Sequence, residues 1–375
     1  MLTQDKKTSF WVISDTHLIA DSLHDHGQAF SQMQKTSQGK DLYYQETALS
    51  AFVRMAQKKK PAAIIVTGDV TFNGERVSAE KFAEIFKPLE ETQLLVLPGN
   101  HDIYDGWARE FRGKKQYYAG QISPRMWRNI FKTSYKNAVS VDDKSLAYSV
   151  QLNPDYLLIL ADSNDYGKEE ATTAPATAGF LGREQRRWIK SQLQYASENN
   201  LQVIFCMHHN LYAHNPAVNK GYVVDDYREL RKLLAQYNVK LVFSGHIHAQ
   251  NIMLPQDPCP ATEIVTSSFC SNDQGYGVVK VLPKEVSYTC HHFKQKDLYQ
   301  NHDDLDTVRK MGRLFGEMNY HFFTRKNHIE SEELQKLKKS PIYQRLIADN
   351  PHYELYLQTL YDMSNHDNLH VKIKY

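Results

Sequence analysis

The stretch Leu94-Leu95-Val96-Leu97-Pro98-Gly99-Asn100-His101-Asp102 decides how this chain is read. Four aliphatic residues stop at Pro98-Gly99, and an amide, an imidazole and a carboxylic acid follow directly. A short aliphatic run bounded by turn residues reads as a buried strand. In open α/β sheets, ligand sites form beyond such strand ends. This end delivers three groups that can hold a cation or move a proton.

The same grammar recurs on both sides of it. Phe10 to Ile13 precedes Asp15-Thr16-His17, and Ala62 to Val66 precedes Gly68-Asp69. Val203 to Met207 runs into His208-His209, and Leu241 to Phe243 precedes Gly245-His246-Ile247-His248. A lone Gly-Asp after a strand is ordinarily a turn, and a lone His-x-His ordinarily lies on the surface. Five motifs in order, each at a strand end, are explained together by a metal site. The Asp, His and Asn side chains of these motifs, of which seven would suffice as ligands, supply enough donors for two ions. Carboxylate, imidazole and amide oxygen together suit Mn, Fe and Zn better than calcium or copper(I). One residue separates Asp15 from His17, so in extended chain both reach one face, and the same geometry puts His246 and His248 on one side of their loop. Gly68 lets the backbone turn tightly before Asp69, whose two carboxylate oxygens can bridge two ions. His208 and His209 compete for one ligand position. His208 is favoured because it comes first out of the strand, which leaves His209 as a supporting or substrate-contacting residue.

The 375 residues allow one large domain with an extension, or two modest domains. A hydrophobic share of 41% and a charged share of 23% are ordinary for a globular protein. A formal net charge of +2 gives no case for a nucleic-acid polymer as partner. The apolar runs fall far short of the roughly 20 residues that span a bilayer. Met1 to Ser9 lacks the apolar core of a signal peptide, so the cytoplasm is the expected location. Cys206, Cys259, Cys270 and Cys290 are widely spaced, with no CxxC pair, and read as reduced or core cysteines.

Along the chain, helical spacing predicts helices over 43–60, 78–86, 182–199 and 226–237, with Ser78 as an N-cap. Paired strands are expected at 146–152 and 156–161, and β character returns over 261–288. The aromatic stretch from Trp107 to Tyr135 reads as helices and loops near the rim of the site, with its rings in the core. His24 and His26 read as solvated loop residues. The composition changes after about His291 to Lys, Glu, Tyr, Asn and His with no strand signal. Apolar spacing at 305–323, 332–348 and 353–363 predicts a helical C-terminal extension that caps the site or dimerises. This divides the chain into a catalytic domain, 1–295, and an extension, 296–375.

The order D-x-H, GD, GNHD, HH, GHxH resembles the calcineurin-like metallophosphoesterase superfamily over roughly Ser9 to Gln250. The resemblance implies an α/β (α+β layered) fold: a β-sandwich of mixed sheets flanked by helices. It implies that Asp15, His17, Asp69 and His248 hold one divalent ion, most fittingly Mn or Fe, with Zn the alternative. Asp69 then bridges, and Asn100, His208 and His246 complete the second site. His101 matches the family's non-ligand catalytic histidine, and Asp102 its acidic neighbour, read as orienting the imidazole. The implied reaction is attack of a metal-activated hydroxide on a phosphate ester. The fuller match of GNHD-I, HHN-L and SGHIH is similar to bacterial class III cyclic nucleotide phosphodiesterases. A cyclic nucleotide is therefore the expected substrate. His209 and His214 are read as substrate contacts, with support of a metal ligand as the alternative for each. A nucleotidase, a phospholipid-head-group hydrolase or a protein phosphatase is the alternative, followed by a non-catalytic scaffold.

Overall fold

The computed structural model describes residues 1–37, 40–214, 219–270, 274–292 and 369–375, with isolated positions at 339, 341 and 344. Two β-sheets form its centre. The first has the order β15-β14-β13-β1-β2-β3. Its members are β1 (Thr8–Ile13), β2 (Ala63–Thr67), β3 (Gln93–Leu97), β13 (Gly275–Leu282), β14 (Glu285–His292) and β15 (His370–Lys374). The second has the order β11-β12-β10-β9-β8-β7-β6. It contains β6 (Ala138–Val141), β7 (Tyr148–Asn153), β8 (Tyr156–Leu160), β9 (Gln202–Cys206), β10 (Leu241–Ser244), β11 (Asn251–Met253) and β12 (Thr262–Val265). β1, β2 and β3 run parallel, and so do β8, β9, β10 and β12. The remaining pairings are antiparallel, so both sheets are mixed.

The parallel strands are buried on both faces, and successive side chains enter different cores. Phe10, Val12, Ile65 and Leu95 of the first sheet meet Leu158, Ile204, Phe243 and Ile264 of the second in one apolar layer. The sheets therefore pack face to face. The alternate residues Trp11, Ile13, Ile64, Val66 and Val96 point outward, onto Leu49 and Phe52 of α2 (Gln45–Lys59) and Phe82 of α3 (Arg76–Phe86). On the far side, Ile159, Phe205 and Val242 pack on Ile189 and Leu193 of α6 (Gly182–Glu198) and Leu230 and Leu234 of α7 (Tyr227–Gln236). A short α1 (Gln28–Thr36) brings Phe30 against Phe111 in a satellite cluster. This is the helix-flanked mixed-sheet sandwich that the motifs predict.

Several local expectations are corrected. Ser78 does not cap α3: Glu75 occupies that position, and the Ser78 hydroxyl accepts a hydrogen bond from Ala20 N across the loop. The stretch 107–145 contains a hairpin, β4 (Arg109–Arg112) and β5 (Lys115–Tyr118), turning at Gly113 with φ 56°. The helices expected there follow as α4 (Pro124–Ile130) and α5 (Lys132–Tyr135), and Trp127 and Phe131 lie in the core, as the aromatic reading expects. His24 is buried and stacked on Phe30 at 3.7 Å between ring centroids, not solvated. The end of the chain is a strand: β15 adds antiparallel to β14, with Ile373 in the inter-sheet core. The helices expected over 305–363 lie outside the described residues, apart from the three isolated positions. All four cysteines are buried, and none forms a disulfide. Among the described residues, no helix is long and apolar enough to cross a membrane.

Candidate metal centre

The motifs do not sit on one sheet. β1, β2 and β3 deliver Asp15, His17, Asp69 and Asn100 from the first sheet, while β9 and β10 deliver His208, His246 and His248 from the second. Backbone hydrogen bonds carry the pairing past the strand ends. Asp15 N donates to Gly68 O at 3.0 Å, His17 N to Asp69 O at 2.9 Å, and Gly245 N to His208 O at 3.0 Å. The extended geometry expected for Asp15-x-His17 and His246-x-His248 is not what forms. Asp15, His17, Asp69, His246 and His248 all have positive φ, between 41° and 70°. Such conformations cost free energy and persist where surrounding structure over-determines them, typically at functional sites. The left-handed turns send His246 and His248 into different clusters instead of onto one side of their loop.

Asp15, His17, Asp69 and His248 offer ligand atoms all within 4.8 Å of one another, and Asp69, His208 and His246 do the same. Asp69 belongs to both groups. Its Oδ2 lies 3.6 Å from His17 Nε2 and 3.5 Å from His208 Nε2, while its Oδ1 accepts the His101 amide at 3.0 Å. Asp15 accepts the His246 amide on both oxygens and stands 3.4 Å from His248 Nε2.

Ring tautomers decide what these contacts mean. His208 Nδ1 donates to the Thr67 carbonyl at 2.8 Å, and His246 Nε2 donates to the Gly221 carbonyl at 3.1 Å. His208 Nε2 then faces His246 Nδ1 at 3.1 Å, with Asn100 Oδ1 3.2 Å from the former. His17 Nε2 faces His248 Nε2 at 3.0 Å. Ring nitrogens packed this closely in a buried pocket need a proton or a metal ion among them. Backbone carbonyls on the remote ring nitrogens are the usual way of orienting histidine ligands. Among the described residues, no Lys or Arg forms an ion pair with Asp15 or Asp69. This donor set fits divalent metal ions.

The field of the pocket says the same. Burial alone would raise the Asp69 carboxyl, but His208 and His101 outweigh it and hold it well below the usual range. Burial would lower His208, yet Asp69 lifts it to about 9, whereas burial and His208 together push His246 down to about 3. The carboxylates thus favour positive charge among these rings, and a divalent ion would supply it in place of protons.

Two glycines admit the carboxylates. A Cβ on Gly99 would strike the backbone and carboxylate of Asp69, and one on Gly245 would strike Ser14 Oγ and Asp15. The strand-end glycines serve close approach to the ligands.

Three expected residues take other places. Asp102 does not touch the His101 ring: its carboxylate accepts Gly99 N, Thr71 N and Thr71 Oγ1 at 2.8 Å and Val70 N at 3.1 Å, bracing the loop. His101 is oriented instead by Asp105, whose Oδ2 is 3.3 Å from Nδ1, and by Asn73, whose Oδ1 is 3.2 Å away. Sequence reading missed both. His209 is buried, with Nδ1 on Ser163 Oγ at 2.8 Å and Nε2 on the Thr177 carbonyl at 3.1 Å. Neither nitrogen is free for a metal or a substrate. His214 is buried between Glu263 and Asn251, with both ring nitrogens likewise engaged.

Two mixed sheets that aim carboxylates and imidazoles at one buried pocket define a class of metal-binding α/β sandwich. Its family is Calcineurin-like phosphoesterase, which matches residues 8–250, and the chain belongs to it. The chain is similar to the "Probable glycerophosphodiester phosphodiesterase GpdQ" of Arcobacter nitrofigilis, with 26% identity over 199 residues, 51% of this chain. The match spans 58% of that relative's length. In fold it is similar to a dimetal phosphatase from Danio rerio, with a TM-score of 0.58 at 11% identity, covering 76% of this chain and 96% of that one.

Proposed function

We propose that this chain hydrolyses phosphodiester bonds with two divalent ions and that cyclic nucleotides are its substrate class. The observation that carries the reading is the pair of donor clusters joined at Asp69, with the oriented His101 beside them. Asp15, His17, Asp69 and His248 would hold one ion; Asp69, Asn100, His208 and His246 would hold the other. Ions so held clamp a phosphate and lower the pKa of water toward neutrality. Mn and Fe suit the donors best, with Zn the alternative.

The chain's own part is to place the ions and handle a proton. His101 Nδ1 is committed to Asp105 and Asn73, which leaves Nε2 to protonate the departing oxygen. Its ring centroid is 5.3 Å from that of the ligand His17, and its side chain is a quarter exposed, so substrate can reach it. Asp69 and Asp105 outweigh burial and favour its protonated, acid-competent form.

The name of the Arcobacter nitrofigilis relative favours a second reading within the same chemistry, a glycerophosphodiester substrate. A hydrolysis panel on Mn-loaded protein separates them, using cyclic nucleotides, glycerophosphodiesters, nucleotide monoesters and a nitrophenyl diester. Preference for cyclic nucleotides supports the first reading, and preference for glycerophosphodiesters replaces it with the second. Activity on monoesters alone would overturn both.

A further inference from the structure

Glu263, on β12, is fully buried and carries no Lys or Arg partner among the described residues. Its Oε1 accepts Leu211 N at 2.7 Å and Ser244 Oγ at 2.6 Å. Its Oε2 accepts Tyr212 N at 2.8 Å and His214 Nε2 at 2.9 Å. Asn251 Nδ2 donates to His214 Nδ1 at 3.1 Å, and this sets the tautomer that presents Nε2–H to the carboxylate. Four donors thus saturate one buried carboxylate. Such a network is costly unless complete, and rigid when it is.

The donors come from the loop after β9 and from the end of β10. Leu211, Tyr212 and His214 follow His208, while Ser244 lies two residues before His246. Asn210 closes the junction, donating from Nδ2 to Ser244 Oγ at 3.1 Å and to the Gly245 carbonyl at 2.9 Å. Asp15, His17 and Asp69, on the first sheet, share none of these bonds.

We infer that Glu263 is the positioning residue of the His208–His246 half of the metal centre, locking these two segments so that His208 Nε2 and His246 Nδ1 converge. The inference rests on the two-ion reading proposed above. It also gives His214 its role, as a fixed donor to Glu263. A glutamine at 263 keeps the shape but offers one acceptor oxygen and an NH2 group. Two of the four donors would then lose their acceptor.

The test is a Mn titration of the metal-stripped full chain by calorimetry, alongside thermal melting. Wild type is expected to take up two ions. Glu263→Gln is expected to keep one at wild-type affinity and bind the other about 10–100-fold more weakly, the usual loss when a residue supporting a ligand is removed. Ser244→Ala, which removes one of the four bonds, is expected to shift the same ion by less, and it serves in place of Glu263→Gln if that variant does not fold. A variant with both affinities unchanged, or with both reduced equally, overturns the inference while leaving the two-ion reading intact. Uptake of a single ion by wild type overturns both.

Discussion

His101 Nδ1 lies 3.3 Å from Asp105 Oδ2, four residues on, while the adjacent Asp102 spends its carboxylate on the backbone of Gly99, Val70 and Thr71. The two acids therefore separate function from scaffold. His101→Ala is expected to lower turnover by about 10²–10⁴-fold, the range for a general acid. Asp105→Asn should cause part of that loss, with both ions retained. The loss on either change should shrink for a nitrophenyl ester, whose leaving group needs little protonation. Steady-state rates on good and poor leaving groups, with metal analysis, check this. An equal loss on both would show that His101 binds substrate and does not protonate it.

Asp102→Asn should act on stability. Its carboxyl is pushed up to about 6 by burial and Asp69, yet it gathers three backbone amides. An amide in its place leaves some of these without an acceptor, at about 1–3 kcal/mol for each buried group. A lowered Tm is the expected result, and an unchanged Tm with lost turnover would contradict it.

Glu75 provides a pH test outside the ligand set. It is fully buried, its Oε2 accepts Asn73 N at 3.0 Å, and burial lifts its carboxyl from the usual 4.5 to about 8. A folded-state pKa raised above the unfolded value gives stability that is fully present below the unfolded pKa. That stability is lost as pH rises through the folded value. Wild-type Tm should therefore fall relative to Glu75→Gln as pH rises from 5 to 8. Each kcal/mol lost corresponds to about 2–4 °C in domains of 150–250 residues. Parallel curves for the two proteins would show that Glu75 does not titrate in this window.

His208 and His209 are separated by the partners of their ring nitrogens. His208→Ala is expected to lose one ion. His209→Ala should keep both, because Ser163 and Thr177 already occupy its nitrogens. Loss of an ion from His209→Ala alone would reverse the assignment.

The parts of this fold that announce themselves in sequence are those where one local rule decides the outcome. Leu94–Leu97 and Val203–Cys206 are apolar because they are buried on both faces, and Asn100 and His208 follow within a few residues because the strands end at the pocket. The role of Asp105 was not legible. It reaches His101 through an irregular turn in which Tyr104 has φ 51°, so neither helical nor strand spacing relates the two. His209 and His214 carry the residue type of a ligand, but a sequence cannot show that hydroxyl, carbonyl and carboxylate partners have claimed their nitrogens. β15 was hidden because His370–Lys374 is mostly polar, as suits an edge strand whose buried contribution to the core is Ile373.

The most direct measurement is metal stoichiometry in wild type and Asp69→Asn, since Asp69 belongs to both donor clusters. Calorimetric titration of the metal-stripped full chain with Mn should give two ions for wild type, and Asp69→Asn should weaken both. Saturation of wild type at one ion, or an Asp69→Asn protein that binds two ions normally, would contradict the shared-carboxylate centre.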